Sequence, residues 1–207
     1  PFDALQTYGA DAIRWYFYTA SAPWIPKRFS GKLVLEGQRK FMGTLWNTYA
    51  FFVLYANIDN FDPKDHPIEN VKLTLMDKLV LSRLNQLVKR VDDDLCNYRI
   101  PEPARAITEF VDDLSNWYVR RCRERYWGKE MTADKEAAYM TLFTVLKTMA
   151  LLSAPFTPFM AEEIYQNLVR TVDASAPESV HLCDFPTADE SLIDESLNTQ
   201  MSALLSV

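Results

Sequence analysis

Thr74-Leu75-Met76-Asp77-Lys78-Leu79-Val80-Leu81-Ser82-Arg83-Leu84-Asn85-Gln86-Leu87-Val88-Lys89-Arg90-Val91-Asp92-Asp93-Asp94-Leu95 is the stretch that decides the fold. Leu75, Leu79, Leu84, Leu87, Val91 and Leu95 recur at helical spacing, which predicts one long amphipathic helix reaching to about Tyr98. Thr74 with Asp77 three residues on is a helix-start pattern: the hydroxyl accepts from the first turn and the acid bonds back. Pro101 and Pro103 then punctuate, and proline is tolerated in a first helical turn because its missing N–H would be unpaired there anyway.

The same period extends outward in both directions. Downstream, Ile107, Phe110, Val111, Leu114, Trp117 and Tyr118 mark a helix to about Trp127, with Gly128 as its stop. A further helix runs from about Ala133 to Ser153 through Tyr139, Leu142, Phe143, Leu146 and Met149. Thr157 and Pro158 then cap and open a helix to about Val169. Residues 171–188 read as irregular, with a short extended piece at Ser179–Cys183, and a last helix starts near Ser191. Upstream, Phe41, Leu45, Tyr49, Phe52, Val53 and Ala56 mark a helix from about Glu36 to Asn57. Its second half is apolar on nearly every side, which predicts a central position. Residues 1 to about 21 read as one helix, with Ala10, Ile13, Tyr16 or Phe17, and Ala20 in period. Pro23 and Pro26 stop it, and Lys27 to Leu35 reads as a basic connector.

Composition agrees. The chain has 207 residues, 48% of them hydrophobic, so it can bury a sizeable core; with only 5 glycines, long periodic stretches exclude a sandwich or a doubly wound sheet. The expected architecture is all-α: an up-and-down bundle of four to five long helices behind a short N-terminal connector helix. The division is 1–35 as connector, 36–170 as bundle, and 171–207 as an irregular segment with the start of a truncated C-terminal region. No run of 18 uncharged apolar residues occurs, so a membrane span is not expected. The opening Pro1-Phe2-Asp3 has no initiator Met and no signal-peptide regions, and reads as a cut through a longer chain. Cys96, Cys122 and Cys183 are far apart and form no disulfide framework, which fits small buried thiols in a reducing compartment.

Catalytic chemistry finds no constellation here. There is no Gly-rich phosphate loop, and His66 and His181 are isolated. Asp92-Asp93-Asp94 spread about 100° apart on a helix, so they read as a solvated face rather than as metal ligands. Glu162-Glu163 read as acids complementing a helix start. No catalytic residue, metal or cofactor is expected in these residues.

The informative stretch is Asn116-Trp117-Tyr118-Val119-Arg120-Arg121-Cys122-Arg123-Glu124-Arg125-Tyr126-Trp127, with four arginines and four aromatics in twelve residues. On a helical wheel centred on Leu114, Arg121 and Arg125 fall near the apolar stripe, while Arg120 and Arg123 fall away from it. Two readings stay open. All four arginines can serve the helix C-terminus and the core edge. Alternatively, an Arg–aromatic face is offered to a polyanion, since guanidinium and aromatic planes stack on unpaired bases. A mixed answer has Arg121, Arg125 and Trp117 structural or mixed, with Arg120, Arg123 and Trp127 facing a ligand. A second basic cluster is Lys27, Arg28, Lys32, Arg39 and Lys40, with Trp24 just ahead; it can grip phosphate or be a solvated connector. The net charge of −6 argues against nucleic acid when taken alone, but the distribution of charge outweighs the sum.

At these residues the sequence resembles a known family. Tyr8-Gly9-Ala10-Asp11-Ala12-Ile13-Arg14-Trp15-Tyr16 is similar to a stretch of class I aminoacyl-tRNA synthetases for branched aliphatic amino acids. Ser21-Ala22-Pro23-Trp24 and Arg28-Phe29 look like the adjoining connector. Leu45-Trp46-Asn47-Thr48-Tyr49, Phe51 to Asn57, and Asp113 to Arg121 with Arg125-Tyr126-Trp127 resemble the isoleucyl branch. Ala154-Pro155-Phe156-Thr157-Pro158 continuing to Tyr165, and Ser179-Val180-His181-Leu182, complete the match; the former is shared with valyl and leucyl relatives.

The resemblance implies an anticodon-binding helical bundle of an isoleucyl-tRNA synthetase. Its partners would be tRNA(Ile) and the catalytic and C-terminal domains of the same enzyme, in the cytoplasm. ATP and Mg would be used by the parent enzyme, which ligates isoleucine to tRNA, and not by these residues, which lack the HIGH and KMSKS signatures, the editing insertion and a cysteine-rich zinc module. Trp24, Lys27, Arg28, Arg39, Arg120, Arg123 and Trp127 would touch tRNA. Two other readings remain: a helical scaffold between domains with little tRNA contact, and the equivalent domain of a valyl-tRNA synthetase.

Overall fold

The computed structural model describes residues 1–22 and 24–205; Pro23, half of the expected first helix stop, and residues 206–207 at the end of the last helix lie outside the described residues. Helices α1 (Phe2–Tyr8) and α2 (Ala10–Thr19) replace the single N-terminal helix expected from periodicity. The break is at Gly9, whose φ of 79° is open to glycine and strained for other residues. Helix α3 (Gly31–Gly37) already occupies part of the expected connector, because Ser30 caps it by accepting from the Leu33 amide. A wide π turn, Gln38–Gly43, joins α3 to α4 (Thr44–Asp59), and Asn60 closes α4 in a left-handed conformation.

Helix α5 (Leu75–Cys96) starts at the expected place. Thr74 and Asp77 form the reciprocal capping box, with the Thr74 amide donating to Asp77 at 2.9 Å. Leu75 itself is exposed in the first turn and does not join the core face. Helix α6 (Pro101–Asp113) passes through a second π turn, Leu114–Val119, into α7 (Arg120–Cys122) and a 3-10 turn, Arg123–Tyr126; together they form one rod. Gly128 does not end it in a left-handed conformation, since Gly9 is the only such glycine among the described residues. Helices α8 (Ala133–Ser153), α9 (Pro158–Tyr165) and α10 (Glu195–Leu205) complete the chain. Ser179–Cys183 is not extended: Ser179 accepts from the His181 amide and a 3-10 turn follows.

Named contacts give the directions. Asp77 meets Arg125 while Arg83 meets Asp113, so α5 runs antiparallel to the α6–α7 rod. Lys135 at the start of α8 meets Asp59 at the end of α4, so those two are antiparallel as well. Arg39 and Thr44 flank the groove beside Thr108 and Asp112, whereas Phe51 and Tyr55 reach Arg123 and Trp127, so α4 and the rod run parallel. This is the up-and-down bundle expected from the sequence. Its core is one continuous cluster through Phe41, Leu45, Phe52, Leu84, Ile107, Tyr118, Tyr139, Leu146 and Ile164.

Helix α4 is less central than its composition predicts. Leu54 and Ile58 are 56% and 64% exposed, so part of its apolar surface faces outward. Two joints also depart from local expectation. The Thr157 hydroxyl turns back to the Ser153 carbonyl instead of capping α9. The cap comes from α2: buried Asp11 accepts from the Phe159 and Met160 amides, at 3.4 and 2.8 Å. One turn on, Arg14 donates to the Phe156 and Pro155 carbonyls, at 3.3 and 2.8 Å. An acid thus complements the start of α9 and a base the end of α8, as the helix dipoles favour.

Candidate nucleic-acid interface

The end of the α6–α7 rod is shaped by its π turn. A straight α-helix advances about 100° per residue, which would put Arg121 and Arg125 under Leu114. A π turn takes up one extra residue, so the buried stripe runs instead through Leu114, Tyr118, Cys122 and Tyr126. Arg121 is thereby turned out to solvent. Arg120, Arg121 and Arg123 are all exposed, and none of the three is held in an ion pair among the described residues. Trp117 is half-buried against the core.

Arg125 is taken up by the fold. Its guanidinium donates to both carboxylate oxygens of Asp77, at 2.7 and 2.9 Å, and to the Asp134 carbonyl at 2.8 Å. The Tyr118 hydroxyl adds a third donor to Asp77 at 2.6 Å. Burial pushes the Asp77 carboxyl upward, but the hydrogen bonds from Arg125, Tyr118 and Thr74 outweigh it and hold it below the usual range. Burial, with smaller contributions from neighbouring Cys122, Asp77 and Tyr139, drives the Tyr126 phenol well above its ordinary value, and its hydroxyl donates to the Ala138 carbonyl at 2.9 Å.

Around this anchor the exposed groups converge. The Arg123 guanidinium lies 6.0 Å from the centre of the Phe51 ring. Phe51 packs on Tyr55 at 4.8 Å and edge-on to Tyr126 at 5.1 Å. Trp127, 56% exposed, donates its indole N–H to the Tyr55 hydroxyl at 3.1 Å. The result is a surface of cations and ring faces built from α4 and the end of the rod, which suits unpaired bases. Phe51 and Tyr55 are absent from the sequence-derived set; the available signal was their four-residue spacing in the apolar run of α4.

The second basic cluster lies elsewhere. Arg39 flanks the groove at Thr108 and Asp112, whereas Trp127 sits beside Tyr55. At about 1.5 Å per residue this separates the clusters by roughly 24 Å along the parallel helices. Trp24, Arg28, Lys32 and Arg39 are exposed. Lys27 is partly tied down: its ammonium donates to the Phe17 carbonyl, and burial lowers its pKa. Lys40 pairs with Glu36 at 2.8 Å. Lys32, Arg39, Trp46 and Asn47 line an open groove of about 980 Å³ with Tyr8, Leu35 and Met160. Among the described residues no group of three or more His, Cys, Asp or Glu side chains gathers as metal ligands would, and no helix is long and apolar enough to cross a membrane.

Comparison with known proteins bears on family and fold. Residues 77–207 match the family described as the anticodon-binding domain of tRNA ligase. The chain is 59% identical over 204 residues to an isoleucine–tRNA ligase of Clostridium novyi, covering 97% of this chain and 19% of that protein. It is 49% identical over 208 residues to the isoleucine–tRNA ligase of Thermus thermophilus, covering 100% of this chain and 20% of the other. The chain therefore spans about a fifth of the length of these relatives. By fold, it superimposes on LeuRS from a ternary complex with tRNA and LeuAMS from Agrobacterium radiobacter K84, with a TM-score of 0.66 at 17% identity over 94% of this chain and 21% of that one. It also superimposes on the methionyl-tRNA synthetase of Mycobacterium tuberculosis, with a TM-score of 0.61 at 18% identity over 90% and 39%. With the family model matching well over half of its residues, the chain belongs to the anticodon-binding domains of tRNA ligases.

Proposed function

We propose that this chain reads the anticodon arm of tRNA(Ile) on behalf of an isoleucine–tRNA ligase. The observation that carries the reading is exposed Arg123 and Trp127 meeting Phe51 and Tyr55 at one end of the bundle, with Arg120 exposed on the same rod. Relatives at 59% and 49% identity that are isoleucine–tRNA ligases favour the isoleucyl over the valyl alternative. The whole enzyme would join isoleucine to tRNA with ATP and Mg in the cytoplasm, by residues outside this chain. Within it, 1–35 serves as connector, 36–170 as reading bundle, and 171–207 as an irregular segment with the start of a C-terminal region. Trp24, Lys27, Arg28 and Arg39 grip backbone at the opposite end from the anticodon.

The test is binding of tRNA(Ile) by wild type and by Arg120→Ala/Arg123→Ala across a salt series. Each lost phosphate contact on single-stranded RNA lowers the slope of log K against log salt by about 0.7. The double variant is expected to bind at least tenfold more weakly, with a slope reduced by about 1 to 1.5. Unchanged affinity and slope would remove these residues from the interface.

A second reading, an interdomain scaffold, draws on exposed apolar groups at the other end: Phe2, Trp24, Phe29, Leu33 and Leu35. Apolar surface in that quantity marks contact with another body. This is compatible with tRNA reading, because it lies away from Arg123 and Trp127.

A further inference from the structure

Four element ends meet at the reading end of the bundle: the C-terminus of α4, the N-terminus of α5, the end of the rod and the N-terminus of α8. Among them sits Lys135, only 1% exposed. Its ammonium donates to the Gly128 carbonyl at 2.5 Å and pairs with Asp59 at 2.6 Å. The Tyr139 hydroxyl also donates to Asp59. A buried lysine is costly to desolvate, and this one directs its charge at two partners within the fold, Asp59 and the Gly128 carbonyl. The second of these is the carbonyl one residue after Trp127.

We infer that Lys135 and Asp59 are positioning residues that fix Trp127 for base stacking. The Trp127 ring is held at two points. Its indole N–H is bound by Tyr55 on α4, and its backbone is fixed at the next residue by Lys135 on α8. Asp59, at the C-terminal end of α4, ties the two supports together. Without the ammonium, the Gly128 carbonyl loses its donor and the turn of residues 127–132 is released from α8. The indole can then leave Tyr55, and a mobile ring pays an ordering cost on binding that a fixed ring does not. The inference rests on the proposed reading of the anticodon arm.

The test uses the 207-residue chain and a synthetic RNA hairpin carrying the anticodon stem and loop of tRNA(Ile). Four variants are compared with wild type: Lys135→Met, Trp127→Ala, the two combined, and Tyr55→Phe, which removes only the indole's acceptor and leaves the fold intact. The Trp127 indole N–H is followed by NMR without RNA, assigned with Trp127→Phe. Lys135→Met and Tyr55→Phe are expected to shift that signal and speed its solvent exchange. Each should weaken hairpin binding about three- to tenfold, and Lys135→Met should add nothing on top of Trp127→Ala. An unmoved indole signal in Lys135→Met, or losses that multiply in the double variant, overturns the positioning role. Should Lys135→Met not fold, the same pair of readouts on Tyr55→Phe and Asp59→Asn decides it. If Trp127→Ala binds the hairpin as wild type does, Trp127 is no stacking platform and the positioning role falls, whereas failure of wild type itself to bind the hairpin sinks the anticodon reading.

Discussion

Asp77 shows how one side chain can hold two elements. It caps α5 through Thr74 and anchors the rod through Arg125 and Tyr118. Removing one member of such a buried charge pair leaves the other uncompensated. Asp77→Ala is therefore expected to lower the unfolding free energy by about 3–5 kcal/mol, measured by urea denaturation. The pH dependence follows from the direction of the shift. The folded carboxyl titrates below its unfolded value of about 3.9, so its stabilisation is complete above that pH and is lost as the pH falls toward the folded pKa. Wild type should lose stability below about pH 4 more steeply than Asp77→Asn does. Equal acid slopes would count against a depressed carboxyl.

At the scale of elements, the π turn at Leu114–Val119 is the decisive irregularity. It moves burial from Arg121 and Arg125 to Cys122 and Tyr126, leaving Arg125 to be absorbed by Asp77. Truncating buried Tyr126 to Ala should cost on the order of the 3–5 kcal/mol seen for large buried aromatics. Arg121→Ala should change stability by no more than about 0.5 kcal/mol, as at an ordinary surface site. A straight-helix register predicts the reverse ranking. The corner between α8 and α9 makes the same point: its cap comes from Asp11, some 150 positions upstream in the sequence, not from Thr157. Asp11→Ala should cost about 1 kcal/mol in thermal unfolding, and Thr157→Val should not show a capping loss.

Across the whole molecule, parallel packing of α4 beside the rod sorts the candidate residues into two ends. Arg39, with Lys27 and Arg28 held on α2 through Phe17 and Tyr16, belongs to one, while Arg123 and Trp127 belong to the other. Sites separated this far act independently. Arg39→Ala should weaken binding of whole tRNA(Ile) but leave binding of the isolated anticodon hairpin unchanged. Arg123→Ala should weaken both. Combined, the two losses on whole tRNA should add to within about 0.5 kcal/mol. Loss of hairpin binding in Arg39→Ala would collapse the two ends into one site.

The helical class, most helix bounds and the capping of α5 were legible in the sequence, because apolar periodicity and cap chemistry are local properties of neighbouring residues. So was the family, since its motifs are carried by residues in order, and the Arg–aromatic stretch stood out as the candidate reading surface for the same reason. Tertiary structure alone decided the rest. The break at Gly9, the exposed face of α4 and the π turn depend on which neighbours compete for each residue, and a wheel of fixed pitch cannot register them. The assembly of Phe51 and Tyr55 with Arg123 and Trp127, and the pairing of Lys135 with Asp59, join residues more than 70 positions apart. Such contacts form only once separate helices have packed, so no local pattern announces them.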